Sequence, residues 1–178
     1  MRIACVGWGS LVWDPGVLRI AGAWKHDGPS LPVEFARVSR DGRLTLVLNP
    51  GAVVVETLWC ELDYNSPEGA QAALAGREGC AVHAIGMWPG DMPDHRTGAG
   101  EIAAWALRQA LDAVVWTALR PKFGGRDGEA PGNADEAIKY LMGLRGDALD
   151  RARDYVRKAP SQIQTSFRGA VAAALGIE

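Results

Sequence analysis

Few side chains in this sequence have the types and spacing that catalysis needs. The three histidines, His26, His83 and His95, share no metal-ligand spacing. Cys80 and His83 form a C-x-x-H pair, but the run 80–88 reads as a strand, where residues three apart face opposite ways. Core and surface roles are the simpler reading for both, and neither metal nor cofactor is expected. A cysteine-dependent amidase would need Cys5 or Cys80 beside a histidine. Ser10 is not in a Gly-x-Ser-x-Gly elbow, because Leu11 and Val12 follow it. Gly7-Trp8-Gly9 does not extend to the Gly-x-Gly-x-x-Gly of a dinucleotide fold.

Two stretches remain. Most of the twenty-one carboxylates fall in turns, caps or exposed helix faces. Glu78 stands instead at the junction of a helix and the apolar run 80–88, with Gly76 and Gly79 leaving room around it. A carboxylate partly shielded from water there would suit general acid/base work. The plainer alternative is a pairing with Arg77 or a turn cap. The second stretch is Gly7-Trp8-Gly9-Ser10-Leu11, which breaks an apolar run just after it begins. It is either an ordinary strand-to-loop turn or a backbone bared for close approach. Of the seven tryptophans, Trp59, Trp88, Trp105 and Trp116 read as core, whereas Trp8 and Trp13 flank this break. Arg151, Arg153, Arg157 and Lys158 read as a solvated helix face.

The elements that must position these residues follow from pattern. A chain of 178 residues with 48% hydrophobic and 22% charged residues is expected to form one domain, 1–178, with a sizeable core. A formal charge of -2 without a Lys/Arg run argues against nucleic acid and against a polybasic membrane anchor. No stretch approaches 18 uninterrupted apolar residues, so no membrane span is expected. The N-terminal apolar run, interrupted by Trp8, Trp13, Asp14 and Pro15, reads as a first strand rather than a leader. Three cysteines in apolar contexts read as reduced, buried thiols of a cytoplasmic protein.

Residues 32–39 and 43–48 alternate around Asp41-Gly42 and predict a hairpin, and 53–63 predicts a long strand. A helix is predicted over 66–75, with Ser66 as N-cap, Pro67 and Glu68 in the first turn and Gly76 as stop. Strand 80–88, helix 99–110 and strand 113–119 follow, then a Gly/Pro-rich loop at 121–132. Asn133 with Glu136 opens a helix, Asp147 opens another that Pro160 ends, and 161–175 closes the chain as a third. The fold class is α+β: residues 1–120 form a mixed, mostly antiparallel, barrel-like sheet core with two helices. Residues 121–178 supply a loop and C-terminal helices packed on it.

Gly7-Trp8-Gly9-Ser10-Leu11-Val12-Trp13-Asp14-Pro15-Gly16 resembles the aromatic-Gly-Ser-Leu signature of γ-glutamylcyclotransferase-like proteins, especially the ChaC type. Arg77-Glu78-Gly79 resembles that family's Arg-Glu segment, and the likeness covers about residues 2–90. It implies a mixed barrel with a cavity at its mouth and cleavage of a small γ-glutamyl amine or peptide, as in glutathione metabolism, releasing 5-oxoproline. Carried across, Gly7, Trp8, Gly9, Ser10 and Leu11 would form the loop that holds the glutamyl end, and Glu78 would be the acid/base residue. Trp8 stands where the family has tyrosine, so an indole N–H takes the place of a hydroxyl. The alternative is a non-catalytic small-molecule-binding module on the same scaffold.

Overall fold

The computed structural model describes residues 1–90 and 97–177. His95 lies outside the described residues. Strand β1 (Ile3–Gly7) is buried along its whole length because both its faces are covered. It lies between β6 (Leu58–Leu62), which is antiparallel to it, and β8 (Ala113–Thr117), which is parallel. β2 (Ile20–Lys25) and β7 (Ile85–Trp88) form the edges of this five-stranded sheet. Alternate β1 side chains enter separate layers, as the two-residue strand period requires. Ile3 and Cys5 pack with Ala70 and Leu74 of helix α1 (Pro67–Glu78). Ala4 and Val6 join the layer of Ile102 and Trp105 from helix α2 (Ala99–Arg108).

The predicted hairpin forms the second sheet, from β3 (Ser30–Val38) and β4 (Leu44–Leu48). β9 (Lys122–Phe123) runs parallel to β3, and β10 (Arg126–Asp127) folds back on it, giving the order β10-β9-β3-β4. The β9–β10 turn is Gly124-Gly125, with φ of 58° and 81°, the left-handed pair that a two-residue hairpin turn favours. The run 53–63 is not one strand. It divides at Thr57, whose N–H and hydroxyl both donate to the Pro29 carbonyl. β5 (Val54–Glu56) therefore pairs with β3, while β6 joins the other sheet. The strand expected over 80–88 begins only at Ile85, after a 3₁₀ turn at Val82–Ala84, so strand alternation does not separate Cys80 from His83. β2 had no sequence signal: most of it is exposed, and Gly22 has φ of 99°.

Helix α3 (Ala134–Gly143) starts as expected, with Asn133 Oδ1 accepting from the Glu136 N–H. Glu136 reaches back to the Gly132 N–H rather than to Asn133. α4 (Gly146–Lys158) follows, and α5 (Arg168–Ala174) is shorter than the expected 161–175. The difference lies in Arg168, whose guanidinium donates to the carbonyls of Ala159, Pro160 and Ile163 and holds that segment as a loop. Among the described residues the architecture is α+β, with two mixed, mostly antiparallel sheets and five helices. Among the described residues no strand pairing joins the sheets into a closed barrel. No described helix is long and apolar enough to cross a membrane.

Candidate functional site

Glu78 and the Gly7–Leu11 loop, 67 or more residues apart in sequence, line one cavity of about 1050 Å³. The loop leaves the carboxyl end of β1 and tightens into a 3₁₀ turn at Ser10–Val12. Thr117, at the end of the parallel strand β8, lines the same space. Gly76 does not stop α1. The helix runs to Glu78 and ends at Gly79, whose φ of 61° allows the left-handed cap. Arg77 and Glu78 are therefore held in a last helical turn, not in a loose junction.

Arg77 ties the two stretches together. Its Nη1 donates to Glu78 Oε1 at 2.7 Å and its Nη2 to Ser10 Oγ at 3.1 Å. Nη2 and Nε also donate to the Asp14 carbonyl, at 2.6 and 3.1 Å. The side chains of Arg77 and Glu78 are 10% and 16% exposed, so this ion pair is largely shielded from water. Glu78 is thus partly desolvated, as expected, and also paired with Arg77 within the cavity wall.

The glycines of the loop serve a different purpose from the one first expected. A Cβ on Gly7 would meet the Trp24 ring at 2.8 Å, and one on Gly9 would meet the Tyr155 hydroxyl at 2.7 Å. The room they leave is filled by the protein's own side chains. Nor does the Trp8 indole N–H face a ligand; it donates to the Leu46 carbonyl at 3.2 Å, and the side chain is buried. What the loop offers the cavity is its backbone and the Ser10 hydroxyl.

Tyr155, on α4, was hidden in the stretch read as a solvated face. It lines the cavity, accepts a hydrogen bond from the Leu46 N–H at 3.0 Å and packs edge-on against Trp13. Burial pushes its phenol up to about 12, so the hydroxyl stays protonated and can donate at neutral pH. Its signal was the stripe Ala152, Tyr155, Val156 and Ala159, spaced at three and four residues and all buried.

The cysteines divide. Cys5 is fully buried beside Cys60 across the β1–β6 ladder, and burial pushes both thiols up, Cys60 to about 12. Neither is a ready thiolate. Cys80 is half-buried, contrary to the buried reading, and lines the cavity near Glu78; burial pushes it up as well. His26 is engaged with Gln162 outside this cavity, and His83 is at its wall. Among the described residues, no group of three or more His, Cys, Asp or Glu side chains is placed to hold a metal ion. Trp59, Trp105 and Trp116 are core, as expected, while Trp88 is half-buried against it. No known protein family and no curated protein matches the chain in sequence comparison.

Proposed function

We propose that the protein is a γ-glutamylcyclotransferase-like enzyme that cleaves a small γ-glutamyl amine or peptide to 5-oxoproline and a free amine. The observation that carries this reading is that Glu78 and the Gly7–Leu11 loop share one cavity and are linked through Arg77. The reaction needs no protein nucleophile, in keeping with two unreactive buried thiols and a serine outside any elbow. Glu78 takes a proton from the substrate's α-ammonium group. The freed amine attacks the γ-carbonyl carbon, forming the ring C–N bond and a tetrahedral oxyanion. As that intermediate collapses, the bond to the leaving amine breaks, Glu78 returns its proton to that amine, and the ring nitrogen gives up its second proton to water. The attack is intramolecular, with effective molarities that reach about 10⁵–10⁸ M when well oriented, and the protein's part is to hold the chain in that folded orientation. N–H groups of the loop and the Tyr155 hydroxyl are the donors available to the α-carboxylate and the oxyanion. The two sheets would act as the walls of an incompletely closed barrel, β1 and β8 on one side and β3 and β4 on the other. A cytoplasmic site of action fits reduced thiols and a small metabolite substrate.

Purified protein should release 5-oxoproline from a panel of γ-glutamyl amides. Glu78→Gln should lower kcat at least about 10²-fold with unchanged circular dichroism. The ion pair with Arg77 favours a second reading, a binding module in which Glu78 only anchors the loop. In that case the panel gives no product, yet glutamate or 5-oxoproline still binds.

A further inference from the structure

The cavity is larger than a glutamyl group requires; about 300–1,000 Å³ already holds a drug-sized ligand. Among the described residues, five cationic side chains and three carboxylates line it, in a chain whose formal charge is -2. Two of the cations are matched at short range, Arg77 by Glu78 at 2.7 Å and Arg43 by Asp41 at 2.8 Å. Asp14 belongs to the segment that Arg77 holds. Among the described residues, Arg37, Arg40 and Lys122 then have no carboxylate at short range, although Arg37 Nη1 donates to the Arg120 carbonyl at 2.7 Å.

Their placement is ordered. Arg40 Nη2 donates to the Gly79 carbonyl at 3.3 Å, one residue beyond Glu78. Arg37 and Lys122 are register partners across the parallel β3–β9 pair, so two like charges stand side by side. Such a pair is unfavourable unless an anion lies between them. Asp127 partly fills that need, with one oxygen 3.7 Å from Arg37 and 3.8 Å from Lys122, but its side chain is 69% exposed. Long contacts to an exposed carboxylate give little and yield readily to a better anion.

Building on the cyclotransferase reading, we propose that the amine half of the substrate is acidic and carries two carboxylates, as in γ-glutamyl-glutamate or γ-glutamyl-aspartate. With the glutamyl end in the Gly7–Leu11 loop and the scissile amide at Glu78, the leaving half extends past Arg40 towards Arg37 and Lys122. Its charges replace the weak Asp127 bridge.

The test compares γ-glutamyl-glutamate, γ-glutamyl-glycine and γ-glutamyl-ethylamide by 5-oxoproline release. Each added carboxylate should raise kcat/KM about tenfold, as a charge pair near a protein surface allows. Raising salt from about 0.05 to about 0.5 M should compress the series. In Arg40→Gln/Lys122→Gln the ratio between the glutamate and ethylamide substrates should collapse towards one. Equal kcat/KM for all three, or a preference retained in the double variant, would overturn the proposal. If no substrate turns over, the cyclotransferase reading fails separately, and quenching of tryptophan fluorescence decides the acidic site. γ-Glutamyl-glutamate binding about a hundredfold tighter than the ethylamide, about tenfold for each carboxylate, upholds it; equal or no binding rejects it.

Discussion

Tyr155 and Gly9 are the residues on which the site's shape turns. The Tyr155 hydroxyl accepts the Leu46 N–H and occupies the place a Gly9 side chain would take. The phenol is buried and anchored, so it cannot swing away as a flexible surface group would. Gly9→Ala should therefore displace it, break the Leu46 bond and cost about 1–3 kcal/mol, the penalty of an unsatisfied buried donor. Tyr155→Phe forfeits the same bond but removes the obstructing oxygen, so the double variant should be less damaged than the sum of the singles. Urea denaturation of the four proteins measures this coupling. Strict additivity would mean that Gly9 and Tyr155 do not share that space. Neither partner could have been paired from sequence. The glycine advertised an open backbone, but what fills the opening comes from a helix 146 residues further on. That Glu78 stands in the cavity wall was legible, because helix, glycine and apolar run converge on it within a few residues.

Helix α1 gives the clearest case of an element boundary with functional weight. Local pattern offers Gly76 as the stop, but the helix runs past it to Gly79. Gly76 lies inside the helix and its missing Cβ faces open space, whereas Gly79 has φ of 61° and also faces open space. With no steric contact at either site, backbone preference alone decides the effect of a methyl group. Gly76→Ala should stabilise the protein by about 0.5–1 kcal/mol, and Gly79→Ala should destabilise it by about 1 kcal/mol. Thermal melts of the two variants check the opposite signs; a gain from Gly79→Ala would contradict the left-handed cap. The hairpin of β3 and β4 and the start of α3 were legible because turn and cap chemistry is local. The split at Thr57 and the edge strand β2 were not. Thr57 breaks its strand through a carbonyl 28 residues away, and β2 exposes most of its side chains, so no alternation marks it. The barrel-like closure was likewise a statement about long-range pairing, which periodicity does not encode.

At the scale of the whole molecule, the buried acids all bias stability in one direction. Burial holds the Cys5, Cys60 and Tyr155 protons, the latter two up to about 12, and pushes the Glu34 carboxyl up against the pull of the Phe35 and Phe167 N–H groups. A neutral acid whose folded pKa is raised contributes its full stability below the unfolded pKa. That contribution is lost as pH rises through the folded pKa, because the unfolded chain releases its proton first. The two carboxylates held low act oppositely but lie nearer the surface. Glu61 is held low by Arg2, with Lys25 assisting; Asp41 is held low by bonds from Ser39 and Arg43, although burial opposes them. Their contribution falls away only as pH drops below the carboxylate range. Stability should therefore decline on the alkaline side, beginning near pH 9 as the unfolded thiols ionise and continuing towards pH 12. Each group that ionises in the unfolded chain alone adds a slope of about 1.4 kcal/mol per pH unit. Two thiols and one phenol give about 2–4 kcal/mol per unit near pH 10–11. Urea unfolding under reducing conditions at successive pH values measures this slope. Cys60→Ala should lower it by about one proton's worth, roughly 1.4 kcal/mol per unit. An unchanged slope in that variant would mean that the Cys60 thiol meets water in the fold, and the β1–β6 ladder would not be the sealed layer on which the Gly7–Leu11 loop stands.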